Sequence, residues 1–413
     1  MSEGLSSHDP VVALAARGDG LTRSGRPVVG AVPGDVLASD GTVVPGPHRA
    51  IPPCRHFDNC GACQLQHVDE EALAQFVGDR ITGAARGQEL DLPPLRTTHL
   101  SPPRSRRRAT LHAFRVGGRT VIGFRMERSH RVVDMRECHV LHPELFALVS
   151  PLRTLLDAQT DRFAADIALT KCDTGVDVGI AGVPFDGFEQ AEALQAFARD
   201  NRLARLTIDS GFGPETVWEP EPVTITVSGI AVPYPPGAFL QATADGETAL
   251  VEAVAQWLVS PDVSAKRGGA PIADLFAGLG TFAFACVSRD AGAKVLAVEA
   301  ARDAHLACRT AARQAGLSVH ALHRDLFRNP LRAEELDRFG AVILDPPRAG
   351  ARDQVTQIAD SAVKRVAYVS CNPSSWARDA ATLVGAGFRI AEVRPVGQFR
   401  WSTHVELASL FVR

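Results

Sequence analysis

Residues 271–280 read PIADLFAGLG and residues 293–300 read AKVLAVEA. Each is a short apolar run that ends in small or acidic residues. The pattern recurs at 339–348, FGAVILDPPR, and at 365–371, RVAYVSC, with a helical stretch near 302–315 between the second and third runs. Apolar strands alternating with helices predict βαβ units and a parallel, doubly wound α/β sheet. FRIAEVRPV at 388–396 and HVELASLFV at 404–412 then close that sheet as an antiparallel hairpin. Ligands of such sheets sit beyond the carboxyl ends of the strands, where the strand order reverses.

The rest of the chain has a different grain. Residues 11–47 are short apolar runs broken every few residues by Gly, Pro or Asp, which predicts a small β-barrel or sheet. Residues 68–85, VDEEALAQFVGDRITGAA, have helical periodicity with acids in the first turn. From about 95 to 235 short alternating segments predict a mainly antiparallel region, with helices near 143–157 and 188–202. Three domains are expected: 1–50, 51–235 and 236–413, in keeping with a length of 413 residues. No internal repeat or low-complexity tract interrupts them.

A hydrophobic share of 45% and a charged share of 22% describe an ordinary globular protein. No apolar run approaches the roughly 20 residues that span a bilayer. The opening MSEGLSSHDP lacks a signal-peptide pattern. A cytoplasmic protein is expected, with no membrane and no DNA among its partners. The net charge of −3 conceals a local excess of ten arginines between Arg104 and Arg136 against only Glu127 and Asp134.

Within the C-terminal pattern, the turn Phe276-Ala277-Gly278-Leu279-Gly280-Thr281 lets backbone approach a ligand closely. Glu299 ends the next strand, where a carboxylate accepts from both hydroxyls of a ribose. With Asp325 and Asp345 on the following segments, a nucleoside-type cofactor is expected. The glycine spacing is not that of a dinucleotide fingerprint. S-adenosylmethionine, which has no pyrophosphate, fits the shorter turn.

Two prolines after Asp345 stop the strand and hold the carboxylate at the sheet's edge. Cys371, followed by Asn372-Pro373, ends the next strand at the corresponding edge. Most free cysteines are small buried hydrophobes, which is the reading for Cys172, Cys286 and Cys308. Cys371 instead points to the same cleft as Asp345, where a thiolate acts as a nucleophile.

DLFAGLGTF, VLAVEA, ILDPPRAG, YVSCNPSSWARD and HVELASL, in that order, closely resemble the S-adenosylmethionine-dependent RNA uracil-5-methyltransferases; PGAFLQ at 236–241 resembles that family's entry to its catalytic domain. The resemblance implies a class I methyltransferase domain in which the Cys371 thiolate adds to carbon 6 of uracil, Asp345 shares the base pocket, and Glu406 removes the carbon 5 proton. It implies Gln241, Phe276, Gly278, Gly280, Thr281, Glu299, Asp325 and Asp345 around the cofactor and base. The chain departs from the family pattern at Ala277, often Cys, at Thr243 and Thr281, often Asn, and at Phe399-Arg400-Trp401-Ser402-Thr403 before the base, where Pro-His or Pro-Tyr is usual.

Cys54, Cys60, Cys63 and Cys138 are a candidate four-thiolate metal set, which zinc or an iron–sulfur cluster would accept. The spacing and the GACQ context resemble the ribosomal branch of the family. That resemblance implies a [4Fe-4S] cluster and 23S ribosomal RNA as partner, for an enzyme expected to act as a monomer. Arg106, Arg107 and Arg108 are the candidate RNA-backbone contacts, and residues 8–47 resemble a shortened RNA-binding TRAM barrel. Alternatives are the same chemistry on transfer RNA, or a metal-stabilised RNA-binding protein without catalysis.

Overall fold

The structure, a computed structural model, describes residues 8–127, 129–159 and 162–413. Arg128 of the arginine run, and residues 1–7 of the expected first domain, lie outside the described residues.

The 271–300 pattern becomes the centre of an eight-stranded sheet. Ile272–Leu275 pairs in parallel with Val295–Glu299 on one side and with Ala341–Leu344 on the other. The chain adds Val319–His323 outside the first neighbour and Arg365–Ser370 outside the second. Strand order therefore reverses beside Ile272–Leu275. The expected hairpin follows as Arg389–Gly397 and Glu406–Val412, the latter antiparallel to Arg365–Ser370.

Alternation along these strands divides the apolar residues into two cores. Ile272, Val295, Ala297, Ile343, Ala367 and Val369 pack beneath helices Ala244–Val259, Thr281–Arg289 and Arg302–Gln314. Ala273, Leu275, Val298, Val342, Leu344, Val366 and Tyr368 face helices Glu70–Arg86, Arg352–Asp360 and Pro373–Gly385. Strands covered on both faces read as continuous apolar runs, which is why the sequence pattern was so plain.

The packing crosses the boundaries expected from sequence. Helix Glu70–Arg86 lies against Pro373–Gly385 and Arg389–Gly397, and His99–Leu100 joins the C-terminal sheet in parallel with Arg389–Gly397. The hairpin Thr224–Val227/Ile230–Pro233 likewise packs on the first set of helices. Residues on both sides of the central region thus cover the C-terminal sheet.

The central region itself is a six-stranded sheet in the order Glu215–Trp218, Arg205–Asp209, Gly175–Ala181, Ala164–Cys172, Arg108–Val116, Arg119–Gly123. All its pairs are antiparallel except Gly175–Ala181 with Arg205–Asp209. The helix expected near 143–157 divides into Pro143–Ala147 and Val149–Asp157, and the one near 188–202 is Phe188–Asp200. The N-terminal segment forms a small five-stranded sheet. Among the described residues, no helix is long and apolar enough to cross a membrane.

Candidate active site

The strand-order reversal opens a cleft of about 610 Å³ at the carboxyl ends of the parallel strands. Of the residues expected to hold the cofactor, Gln241, Phe276, Gly278, Thr281, Glu299, Asp325 and Asp345 line it, together with Cys371 and Glu406. Phe276 has φ +64°, a left-handed backbone that costs a non-glycine residue about 1–3 kcal/mol and persists where its surroundings hold it. Its ring lies 5.4 Å from that of Phe327 across the mouth. The Glu299 carboxylate accepts from the Gly278 N–H at 2.8 Å and the Ala301 N–H at 2.7 Å. These bonds fix its oxygens at the wall of the cleft.

Gly280 plays another part from the one expected. It is absent from the cleft wall and begins helix Thr281–Arg289 at φ +91°, where a Cβ would stand 2.8 Å from Cys308 Sγ and 2.8 Å from the Phe284 ring. Gly280 is there for close packing of helix against helix. Gly280→Ala is expected to destabilise the protein by about 1–3 kcal/mol, to be read as a lowered midpoint of thermal unfolding.

Cys371 directly follows Ser370. Asn372 caps helix Pro373–Gly385 by accepting from Ser374 N–H at 3.1 Å, and its Nδ2 donates to the Arg348 carbonyl at 2.9 Å. One residue thus joins the two loops that carry Cys371 and Asp345. The antiparallel pairing of Ser370 with Leu407 sets Glu406, at the start of the last strand, at the same end of the sheet as Cys371. Glu406 is buried, 4% exposed.

Charge is concentrated here. Burial, opposed by a hydrogen bond from Gln398 and the positive charges of Arg108 and Arg348, pushes the Glu406 carboxyl up to about 7. Burial, then the carboxylates of Glu406 and Asp345, push the Cys371 thiol up to about 11, against the pull of Arg348. Asp345 is held well above the usual carboxylate range by burial and then by Glu406, Asp274 and Glu299. Upward shifts of this kind mark carboxyl groups held protonated in the cleft, and a cation such as a sulfonium beside them would favour their ionised forms.

Arg348, Gln398 and Phe239 are site residues that sequence reasoning left unassigned. Gln398 Nε2 donates to Gln241 Oε1 at 2.7 Å, and Gln241 Nε2 reaches Asp345 Oδ2 at 3.4 Å, a polar chain that joins the surroundings of Glu406 to Asp345. Arg348 and Phe239 stand within quoted motifs, DPPR and PGAFLQ, whereas Gln398 has no local signal.

The three arginines part company. Arg107 is turned inward, 7% exposed, pairing with Glu247 at 2.5 Å and donating from Nε to the Gln241 carbonyl at 3.1 Å, so it is not available to RNA phosphates. Arg106 lies against the rings of Phe124 and Phe399, beside the cysteines. Arg108 lies over Phe239, with its centre 4.6 Å from the ring, at the cleft and within electrostatic reach of Glu406 and Cys371. Strand alternation sends neighbours to opposite faces, which a charge count along the sequence does not reveal.

Cys54, Cys60 and Cys63 and the sequence-distant Cys138 line one cavity of about 20 Å³. They converge as expected, yet among the described residues no three His, Cys, Asp or Glu side chains are grouped to hold a metal ion.

The fold is that of the class I S-adenosylmethionine-dependent methyltransferases. The Pyrococcus abyssi tRNA (uracil-54, C5)-methyltransferase, solved with S-adenosyl-L-homocysteine, shares it with a TM-score of 0.73 at 20% identity, over 99% of this chain and 100% of that one. The family profile for tRNA (uracil-5-)-methyltransferase matches residues 235–413. An uncharacterised RNA methyltransferase of Zymomonas mobilis is 45% identical over 405 residues, 98% of this chain and 99% of its own. The 23S rRNA (uracil(1939)-C(5))-methyltransferase RlmD of Chromohalobacter salexigens is 32% identical over 378 residues, 89% of this chain and 77% of its own. The chain belongs to the S-adenosylmethionine-dependent RNA uracil-5-methyltransferase family.

Proposed function

We propose that the protein methylates carbon 5 of a uridine in 23S ribosomal RNA through a covalent bond between Cys371 and carbon 6. The observation that carries this reading is the meeting of Cys371, Asp345 and Glu406 in one cleft whose far end holds Glu299.

Carbon 5 of uracil is too weak a nucleophile to take a methyl group unaided. Cys371 Sγ, as thiolate, bonds to carbon 6, and the π electrons move onto the carbonyl oxygen at carbon 4 as an enolate. S-adenosylmethionine, which Phe276 and Glu299 would hold, would supply an electrophilic methyl group to the enolate's carbon 5, the electrons of the S–methyl bond staying on sulfur as S-adenosylhomocysteine leaves. The Glu406 carboxylate then removes the carbon 5 proton. The electrons of that C–H bond restore the double bond to carbon 6, the C–S bond breaks, and the thiolate leaves. Gln241, Asp345 and Arg108 stand where they can hold the polar edge of a uracil that has been flipped from its stack.

The resemblance of the cysteine spacing and the presence of all four thiols around one cavity, which His56, Glu137 and His139 also line, support a [4Fe-4S] cluster on Cys54, Cys60, Cys63 and Cys138. Methyl transfer needs no redox step, so such a cluster would brace the fold.

The test is transfer of a tritiated methyl group to transcripts of 23S ribosomal RNA and of transfer RNA, with nucleoside analysis. The expected product is 5-methyluridine in the ribosomal transcript. Label in transfer RNA alone would move the substrate to the other RNA class, and label in neither would sink the reading.

A further inference from the structure

The stretch Phe399-Arg400-Trp401-Ser402-Thr403, where this chain departs from the family pattern, connects the last two strands and leads into Glu406. Its anchors come from the N-terminal third of the chain. Trp401 sits at φ +60°, a left-handed conformation, and is 8% exposed. Its carbonyl accepts two backbone hydrogen bonds, from Gln64 N–H at 2.8 Å and Leu65 N–H at 2.9 Å. Those are the residues directly after Cys63. Gln64 in turn donates from Nε2 to the Gly61 carbonyl at 2.6 Å, which ties the cysteine loop to itself at that point.

Two side chains tie the same stretch down on either side. Arg400 donates to Glu70 Oε1 at 3.1 Å and to the Ser101 carbonyl at 3.1 Å. The Arg106 guanidinium lies 5.4 Å from the Phe399 ring centre, and that ring lies 5.5 Å from His404, two residues before Glu406. A strained tryptophan persists only where its surroundings over-determine it, and here the surroundings are the cysteine loop and helix Glu70–Arg86. The geometry within the last strand alone fixes Glu406 in register; the loop fixes where that strand begins.

We infer that Gln64, Leu65 and Arg400 are positioning residues for Glu406: the cysteine loop is a brace that holds the base-bearing loop, and through it the carboxylate that removes the carbon 5 proton. This rests on the reading of Glu406 proposed above. It gives the cysteine-bearing region a part in a reaction that has no redox step. A displacement of about 1 Å at a catalytic group costs on the order of 10²-fold in rate. The brace is expected to act chiefly on that step, since Cys371 and Asp345 follow strands held in the parallel part of the sheet.

The experiment compares wild type, Gln64→Pro, which deletes the N–H donor to Trp401 together with the side-chain bond to Gly61, Arg400→Met, which deletes the ties to Glu70 and to the Ser101 carbonyl, and Glu406→Gln. Each is incubated with S-adenosylmethionine and ribosomal RNA containing either natural uridine or 5-fluorouridine. S-adenosylhomocysteine binding is measured by calorimetry in each variant as a check on folding. Gln64→Pro and Arg400→Met are expected to form the 5-fluorouridine adduct at the wild-type rate. On natural RNA they are expected to turn over roughly tenfold more slowly, with KM unchanged and a methylated, denaturation-resistant enzyme–RNA adduct accumulating. Wild-type turnover without accumulation overturns the inference. So does a proportional fall in adduct formation and turnover, which marks a merely structural loop. If Gln64→Pro fails to bind S-adenosylhomocysteine, Arg400→Met decides alone. Glu406→Gln separates the two readings: if it too accumulates no adduct, the base assignment fails and the brace falls with it.

Discussion

Cys371→Ala is expected to abolish covalent capture of 5-fluorouridine-containing ribosomal RNA and to lower methylation by at least about 10⁴-fold. With fluorine at carbon 5 there is no proton for a base to remove. The methylated adduct cannot eliminate and survives denaturation, so a shifted band on a denaturing gel reports the bond directly. No other cysteine can substitute: Cys172, Cys286 and Cys308 are buried in the cores, and the remaining four line a separate cavity. Retention of the adduct in Cys371→Ala would falsify the assignment of the nucleophile.

The same experiment has a charge dependence. A thiol pushed up to about 11 is neutral near neutral pH, chiefly through burial and then through Glu406 and Asp345. A sulfonium in the cleft that Cys371 lines brings a positive charge that favours the thiolate. Alkylation of Cys371 by iodoacetamide is therefore expected to be faster with a sulfonium ligand than with the uncharged thioether of S-adenosylhomocysteine. Equal rates with the two ligands would mean that the thiolate is formed by other means.

The second large effect is at Glu406. Glu406→Gln keeps the volume and the contact with Gln398 but cannot take a proton, and turnover is expected to fall about 10²- to 10⁴-fold while adduct on natural uridine accumulates. Because burial lifts the wild-type carboxyl to about 7, the base is protonated and idle below that pH and ionised above it. Wild-type elimination is expected to rise as pH passes through about 7, and the variant to lose that inflection. Stability moves the other way. A carboxyl raised from 4.5 to about 7 favours the folded state below the lower value, and this contribution is lost as pH rises through the upper one. Glu406→Gln should accordingly gain more in unfolding midpoint at pH 8 than at pH 5.

The C-terminal sheet was legible in sequence because parallel strands buried on both faces leave continuous apolar runs, and because the helices between them have a different period. The residues at the ends of those runs were legible with it. Phe276, Glu299, Asp345 and Cys371 follow strands whose carboxyl ends must meet at one edge. The glycine turn was read less well: Gly278 faces the cleft, while Gly280 serves helix packing, a distinction that depends on what lies above each Cα.

The arginine run shows a different limit. Arg106, Arg107 and Arg108 are indistinguishable as charges along the chain, yet one lies beside the cysteines, one is locked to Glu247 and one reaches the cleft. Their fates depend on strand alternation at a junction between Leu141 and Thr243, residues far away in sequence.

By itself, then, the sequence determined the doubly wound sheet, the edge at which its ligands bind, and the cysteine that ends the fifth strand, because local alternation and strand terminators encode all three. The resemblance named Glu406, but only the tertiary structure showed how it reaches that edge. The antiparallel return of the last strand carries its first residue back to Cys371, and the loop before it is set by hydrogen bonds to residues more than three hundred positions earlier. No local pattern records a pairing of that range.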